Sequence, residues 1–225
     1  FLVNPINFSF VALLNGDVDC AVAGANASTA DVIRSAIRIV GLKSKTNLLS
    51  SSFFMTSHDN VQYTFSDCAV VPEPKAEQLC SIAYEAVQSH ELLSNEKAKV
   101  AFLSFSTKGS ATHYKVKKMQ DSYQLFKKKY PDIVCDGELQ FDAAINPMIA
   151  NKKNPDNTLG GRANVFIFPD LDSGNIAYKI TQHLAGYKAW GPLLQGLNKS
   201  IHDLSRGCNV KDVVSVSMIA ALQAK

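Results

Sequence analysis

The amino-acid sequence predicts an α/β fold with a largely parallel sheet. Short apolar runs with the character of buried strands alternate along the chain with longer segments of helical periodicity, which is typical of βαβ units. At 225 residues the chain is long enough for one large domain or two modest ones. Neither the P-loop spacing nor the G-x-G-x-x-G fingerprint is present, so no motif favours ATP or NAD.

The first part of the chain predicts a helix, a strand and a second helix. Residues 2–14 are apolar and helical in character, and residues 20–23 form a short buried strand that a glycine ends. Ser28 or Thr29 then caps a helix that closes at Gly41. A strand followed by small residues and a helix start can cradle a phosphate, but an ordinary βα turn has the same pattern.

A hairpin and then alternating helices and strands follow. The hairpin is expected as an antiparallel element joined to a mainly parallel fold. The expected elements are strands over 48–55 and 61–65, a helix over 75–93, a strand over 100–105, a basic helix over 116–126, strands over 133–135 and 165–168, a helix over 176–184, a strand over 188–195 and a helix from 210. The last two helices should bury apolar stripes formed by Ile176, Ile180 and Leu184 and by Val213, Val214, Ser217, Met218, Ala221 and Leu222.

Composition excludes several classes of function. The residues are 46% hydrophobic and 19% charged, and the net charge of +3 is too small for an extended nucleic-acid surface. The five cysteines are an odd number without a C-x-x-C pair, which indicates reduced thiols in a cytoplasmic protein and neither a disulfide scaffold nor a zinc site. No apolar run approaches the length of a membrane span, and no export signal opens the chain.

Polar residues follow two of the predicted strands. Asp136, Glu138 and Asp142 offer oxygen ligands for a divalent cation, but loop carboxylates are more often caps or ion-pair partners, so no metal is expected. The segment 170–175, which includes Asn175, follows the strand over 165–168. Ligands of open α/β sheets lie at the carboxyl ends of strands, so this segment should form one wall of a site.

The stretch from 204 to 212 places four reactive groups before a helix start. Ser205, Arg206, Cys208 and Asp212 supply a hydroxyl, a guanidinium, a thiol and a carboxylate, and Asn209 can be the N-cap. Backbone N–H groups at a helix start can hold an anion, and an arginine adds a bidentate contact to phosphate. The alternative is an ordinary capped helix with a solvated arginine.

Taken together, several segments resemble the phosphate acetyltransferase (phosphotransacetylase) group of the phosphate acetyl/butyryltransferase family. The resemblance extends over essentially the whole chain. It is carried by G-P-L-L-Q-G-L-N-K at 191–199, D-L-S-R-G-C at 203–208, N-V-F-I-F-P-D-L at 164–171 with G-N at 174–175, D-G-E-L-Q-F-D-A-A at 136–144 and S-T-A-D at 28–31 with Arg34.

The resemblance implies reversible transfer of an acetyl group between acetyl phosphate and coenzyme A, with inorganic phosphate as the other product. It implies two α/β/α domains of the isocitrate/isopropylmalate dehydrogenase kind, a cleft between them, a cytoplasmic homodimer and a functional link to acetate kinase. Coenzyme A is then a substrate, with no permanently bound cofactor and neither a nucleic-acid nor a membrane partner. By analogy, residues 1–45 and 197–225 belong to one domain and residues 46–196 to the other.

The resemblance also assigns roles to residues. Ser205, Arg206 and Asp212 are expected to be catalytic, and Arg34 to bind substrate. Three more residues are expected to bind substrate: Ser28 and Thr29 in the phosphate cradle, and Asn175 on the opposite wall.

The sequence departs from the family pattern in two respects. Ser200 and His202 stand where proline and asparagine are usual, close to the motif but outside the expected chemistry. The chain starts with Phe1, and family members carry on the order of a hundred further residues before that point, so we expect a truncated first domain that lacks another coenzyme A-binding arginine.

The expected mechanism is direct attack of the coenzyme A thiol in a ternary complex. Arg34 and Arg206 would clamp the phosphate, Ser205 would position the sulfur and Asp212 would receive the thiol proton. Three alternatives stay open: an acetyl-cysteine intermediate at Cys208, a preference for butyryl phosphate, and a non-catalytic acetyl-CoA-binding domain of the kind fused to NADP-dependent malic enzymes.

Overall fold

The structure, a computed structural model, describes residues 1–224 and confirms the α/β prediction. It contains a six-stranded sheet with strand order β5-β4-β6-β3-β2-β7 and a two-stranded sheet, β1-β8. The helices are α1 (Pro5–Asn15), α2 (Thr29–Ile39), α3 (Ala76–Ser94), α4 (Tyr114–Lys129), α5 (Phe141–Ile145), α6 (Pro147–Lys153), α7 (Leu171–His183) and α8 (Val210–Gln223). The strands are β1 (Ala21–Ala23), β2 (Ser50–Thr56), β3 (Gln62–Ser66), β4 (Lys99–Leu103), β5 (Val134–Leu139), β6 (Val165–Ile167), β7 (Lys188–Gln195) and β8 (Ile201–Asp203).

The six-stranded sheet is parallel on one side and antiparallel on the other. Strands β3, β6, β4 and β5 form parallel ladders, whereas β2 pairs antiparallel with both β3 and β7. The predicted hairpin is therefore β2–β3. Its strands are buried along most of their length, polar residues included, because helices cover both faces of the sheet.

Helices α3 and α4 cover one face of this sheet with the residues that their periodicity predicts. The fully buried side chains include Leu79 and Ile82 of α3 and Met119 and Phe126 of α4. Each helix has a narrow apolar stripe on one side and polar or charged residues on the other, so the sequence itself indicates which face is buried.

The two-stranded sheet is made by strands far apart in sequence. Strands β1 and β8 run parallel, with Ala21 opposite Ile201 and Ala23 opposite Asp203. Phe10 of α1 and Val32 of α2 pack in the apolar cluster beside them. Strand β8 was not predicted, because Ile-His-Asp is not the apolar run by which the other short strands were recognised. The assignment of residues 1–45 and 197–225 to one domain stays a prediction.

The predicted buried stripes of α7 and α8 are wrong. Ile176 and Leu184 of α7 are 56% and 83% exposed, and Met218 of α8 is 69% exposed, whereas Val216 and Ala220 of α8 are buried. Helix α8 is apolar almost all round, so its periodicity does not select a face. Its buried face is instead set by contacts with β1, β7 and β8.

The two departures from the family pattern connect β8 to α8. The Ser200 hydroxyl donates to the carbonyl of Ala220 at 2.9 Å. His202 is buried; its Nδ1 accepts from the Leu194 N–H at 3.1 Å and its Nε2–H donates to Gln223 Oε1 at 2.6 Å. Burial lowers the pKa of His202 to about 4. These contacts hold α8 against the strand that leads into the Ser205 stretch.

Within residues 1–224, no helix is both long enough and apolar enough to cross a membrane.

Candidate functional site

Two neighbouring pockets meet at the Ser205 stretch. The first, with a volume of about 520 Å³, is lined by Thr29, Asn175 and Arg206 and is called the Arg206 pocket. The second, with a volume of about 340 Å³, is lined by Cys208 and Asp212 and is called the Asp212 pocket. Polar groups of β8, α2, α7 and α8 therefore converge from distant parts of the sequence on one continuous cleft.

Five residues line both pockets and are called the shared wall: Phe53, Tyr178, Pro192, Leu204 and Ser205. The rings of Phe53 and Tyr178 are stacked, with centroids 3.9 Å apart and planes inclined by 14°. Burial raises the pKa of Tyr178, and the neighbouring Cys68 adds to the shift. The wall is apolar apart from the hydroxyl groups of Tyr178 and Ser205.

The start of α8 has the predicted cap. Asn209 Oδ1 accepts from the Asp212 N–H at 3.1 Å, and Asp212 Oδ2 accepts from the Asn209 N–H at 2.9 Å. This capping box satisfies two of the N–H groups that a helix start leaves unpaired. Asp212 is half-buried at the edge of its pocket, so the same side chain caps the helix and lines the cleft.

The loop before α8 presents Ser205 and Arg206 to the cleft. The Gly207 N–H donates to Ser205 Oγ at 3.2 Å, and the Cys208 N–H donates to the Ser205 carbonyl at 3.0 Å. Arg206 is exposed, and among residues 1–224 its guanidinium takes part in no salt bridge. Its charge is therefore available for an anionic ligand.

The start of α2 is built differently. Ser28 Oγ accepts from the Asp31 N–H at 3.2 Å and donates to Asp31 Oδ2 at 2.6 Å, and Arg34 donates to the same carboxylate at 2.5 Å. The hydrogen bond from Ser28, followed by that from Arg34, lowers the pKa of Asp31. Of the residues expected here, Thr29 lines the Arg206 pocket, whereas Ser28 and Arg34 line neither pocket. Their role in substrate binding stays a prediction.

Asp203 is a residue of the cleft that the sequence reasoning missed. Its side chain is 1% exposed, it lines the Arg206 pocket, and Thr29 Oγ1 donates to its Oδ2 at 2.5 Å. Its Oδ1 is buried without a hydrogen-bond partner among the described residues. Burial raises its pKa, and the bond from Thr29 opposes that shift. The sequence did contain a signal for Asp203: its carboxylate comes directly before the Leu-Ser-Arg run.

Gly24 makes room for this carboxylate. It has φ of +110°, and a Cβ built on it would overlap Asp203 Oδ1. A side chain here would be strained by the backbone and would displace the carboxylate. Asp203 thus joins the start of α2 to the end of β8 at the point where both reach the cleft.

Helix α7 supplies the opposite side. It begins at Leu171, so the segment expected as a loop is its first turn; Asp170 is the N-cap and accepts from the Ser173 N–H at 3.0 Å. Asn175 lines the Arg206 pocket and donates through Nδ2 to the Cys68 carbonyl at 2.9 Å. A Cβ on Gly174 would overlap the Asp67 carbonyl, so α7 lies directly against the chain after β3.

Asp136 and Glu138 lie within β5, which runs beyond the predicted strand, and Asp142 lies in α5; each carboxylate has its own partner. Asp136 is paired with Lys108, and Asp142 Oδ2 lies 2.7 Å from Lys153 Nζ. Glu138 Oε1 accepts from the Gly109 N–H at 2.7 Å and from a serine hydroxyl. Within the described part of the chain no three His, Cys, Asp or Glu side chains are grouped as metal ligands. The geometry is that of ion pairs and caps.

All five cysteines are free thiols. Cys208 is half-buried in the Asp212 pocket, beside the helix cap.

Lys179 and His183 line the same pocket from α7. The cleft therefore combines an available guanidinium, an apolar wall, a carboxylate and a hydroxyl, which suits a ligand with an anionic end and an apolar part.

The chain is similar in sequence to phosphate acetyltransferases. A family model described as phosphate acetyl/butaryl transferase matches residues 1–221. The phosphate acetyltransferase of Bacillus subtilis (strain 168) is 44% identical over 223 residues, which cover 99% of this chain and 68% of that relative.

Solved structures agree with the sequence comparison. The EutD phosphotransacetylase from Staphylococcus aureus superposes with a TM-score of 0.93 and 46% identity, covering 99% of this chain and 68% of that one. A 4-hydroxythreonine-4-phosphate dehydrogenase from Klebsiella pneumoniae superposes with a TM-score of 0.59 at 9% identity, covering 98% of this chain and 69% of that one. The second likeness concerns the fold alone and agrees with the predicted dehydrogenase-like architecture.

Proposed function

The chain belongs to the phosphate acetyl/butaryl transferase family and is an acyltransferase, and on that premise we propose that it transfers an acetyl group reversibly between acetyl phosphate and coenzyme A. The observation that carries the proposal is the exposed Arg206 guanidinium beside Ser205, at the junction of two pockets. The Arg206 pocket suits a phosphate group, and the Asp212 pocket suits the thiol-bearing end of coenzyme A.

The phosphate end of acetyl phosphate binds in the Arg206 pocket. A guanidinium offers two parallel donors to phosphate and stays charged throughout the reaction. As the thiol sulfur attacks the carbonyl carbon, negative charge grows on the carbonyl oxygen, and Arg206 and nearby N–H groups stabilise it. The bond from carbon to the phosphate oxygen then breaks and inorganic phosphate leaves. Thr29 and Asn175 line the same pocket and complete its polar surface.

Coenzyme A approaches from the Asp212 pocket. Ser205 lies in both pockets and positions the sulfur, and Asp212 receives the thiol proton as the sulfur–carbon bond forms. Lys179 can offer positive charge to the phosphate groups of coenzyme A, and His183 lines the pocket beside it. The two neighbouring pockets let each substrate place its reacting end in a pocket of its own, which favours direct attack in a ternary complex.

The base assignment is tested by Asp212→Asn. The amide can still accept from the Asn209 N–H, so the helix cap is preserved while the proton acceptor is lost. We expect a fall in kcat of about 10²–10⁴-fold, the usual contribution of a general base. Near-normal turnover in a folded variant would assign the proton acceptor elsewhere.

An acetyl-cysteine intermediate is the competing mechanism, since Cys208 lies in the Asp212 pocket. It requires ping-pong kinetics and exchange of labelled phosphate into acetyl phosphate without coenzyme A. Direct attack predicts that Cys208→Ala stays active and that no such exchange occurs.

The proposed function is tested by incubating the chain with acetyl phosphate and coenzyme A and measuring thioester formation. Release of one phosphate per thioester supports the transfer, and hydrolysis of acetyl phosphate without thioester contradicts it. A homodimer, a cytoplasmic location and a link to acetate kinase remain predictions that accompany this function.

A further inference from the structure

We propose that the shared wall limits the acyl group to about two carbons, with Tyr178 as the residue that sets this chain length. The inference rests on the proposed function and adds to it a reason for acetyl over longer acyl groups. It is carried by the position of the wall between the two pockets and by the way its rings are held.

The reacting carbon has to lie at the wall. The bond that breaks joins this carbon to the phosphate oxygen, and the bond that forms joins it to the sulfur. Arg206 lines only the first pocket and Asp212 only the second, whereas Ser205 lines both. A carbon bonded in turn to groups in the two pockets therefore sits beside Ser205, where the pockets meet.

The acyl chain extends from that carbon toward the apolar part of the wall. Phe53, Tyr178, Pro192 and Leu204 are the other members of the shared wall, and they offer no charge to either neighbouring pocket. A methyl group gains from contact with them. A longer chain meets the stacked rings of Phe53 and Tyr178 instead of open space.

The ring of Phe53 has little room to withdraw, and the helix that carries Tyr178 is anchored. Phe53 is 5% exposed, and a Cβ on Gly191 would come within 2.8 Å of its Cδ1, so β7 already lies against the ring. Tyr178 stands on α7, which Asn175 ties to the chain after β3. Close-packed side chains of this kind accept added methylenes only at a cost.

The test compares butyryl with acetyl substrates in three variants. Tyr178→Ala removes the ring, and Tyr178→Phe keeps its volume without the hydroxyl. Tyr63→Ala is the matched control: Tyr63 packs half-buried in the same apolar cluster, its ring centroid is 5.6 Å from that of Phe166, and it lines neither pocket.

We expect Tyr178→Ala to raise the ratio of kcat/KM for butyryl phosphate over acetyl phosphate by about tenfold or more, the range in which a hydrophobic pocket discriminates single methylenes. Tyr178→Phe and Tyr63→Ala should leave this ratio within about twofold of the unmodified chain. A folded Tyr178→Ala variant whose ratio does not change would overturn the inference. So would an equal rise in Tyr63→Ala.

Equilibrium binding separates this inference from the proposed function. Calorimetric titration of acetyl-CoA and butyryl-CoA gives the same preference as a ratio of dissociation constants, without turnover. A shift of that ratio confined to Tyr178→Ala, in a chain that forms no thioester, would refute the proposed function and keep the acyl-size limit. Equal ratios in all variants, or no binding of either thioester, would refute the acyl-size limit.

Discussion

Helices α2 and α8 begin with the same local arrangement and differ in what they leave exposed. Ser28 caps α2 with Asp31 three residues on, and Asn209 caps α8 with Asp212 three residues on. Each start also has an arginine nearby. In α2, Arg34 is bonded to the capping-turn carboxylate, whereas Arg206 has no ion-pair partner among the described residues and lines a pocket.

The difference follows from where the arginine stands relative to the cap. Arg34 lies three residues after Asp31, so both side chains project from the same helix face and meet. Arg206 lies before the cap, in the turn held by Ser205, and no helical spacing brings it back to Asp212. Equivalent residue types therefore give a neutralised helix start in one case and an exposed guanidinium beside a pocket in the other.

Asp203 joins the two starts. Thr29 of α2 donates to its carboxylate, and Asp203 is followed directly by the loop that presents Ser205. The buried bond thus holds the α2 start close to the strand that leads into the Arg206 loop.

The strongest test of this comparison is the replacement of Arg206. Arg206→Gln should lower kcat/KM for acetyl phosphate by about 10²–10³-fold, because one donor to the developing charge contributes that much. The measurement is steady-state thioester formation. Arg38→Gln is the control, since Arg38 is an exposed arginine of α2 whose guanidinium lies 5.0 Å from the ring centroid of Phe1. Similar losses in both variants would mean that charge in general, and not the Arg206 position, matters.

Acid should destabilise the fold through His202, which connects β8 to α8. His202 has a pKa of about 4 when folded and 6.5 as its ordinary value, so the unfolded chain binds the extra proton between these values. Stability then falls as the pH drops from about 6.5 to 4, by about 2 kcal/mol at pH 5 for this residue.

The measurement is the free energy of unfolding at pH 7.5 and pH 5 for the unmodified chain and His202→Asn. Other titrating groups cancel in the difference, including His90, whose pKa is also about 4, and Asp67, whose pKa burial raises. The variant should lose less stability on acidification. The same loss in both would mean that His202 stays neutral in the unfolded chain or charges without cost in the folded one.

Thr29→Val tests the connection through Asp203. It removes the donor to a buried carboxylate while keeping the side-chain shape, and we expect a loss of about 2 kcal/mol in the free energy of unfolding. Ser28→Ala, one residue earlier, removes only a cap and should cost about 1 kcal/mol. A larger cost for Ser28→Ala would show that the cap, and not the link to Asp203, holds the α2 start.

Arg34→Gln should have the smallest effect of the four. The Arg34 side chain is exposed, bonded to Asp31 and outside both pockets, so it can contribute to binding of an anionic substrate but not to the reacting centre. We expect KM for acetyl phosphate to rise about tenfold or less, with kcat unchanged. A fall in kcat comparable to that of Arg206→Gln would place Arg34 at the reacting atoms in the working enzyme.

The sequence by itself determined the α/β class, the faces of α3 and α4 and both helix caps, because these depend on residues within a few positions of one another. The D-L-S-R-G-C run and the other quoted segments also indicated the family, which the comparisons then confirmed.

Only the tertiary structure decided the buried face of α8, the pairing of β1 with β8 and the composition of the shared wall. Helix α8 is apolar on most sides, so its contacts with neighbouring elements decide which face is buried. Phe53 and Tyr178 belong to β2 and α7, and their stacking depends on how both pack around the sheet. The bond from Thr29 to Asp203 spans 174 positions. Such contacts follow from the packing of whole elements, which no local pattern encodes.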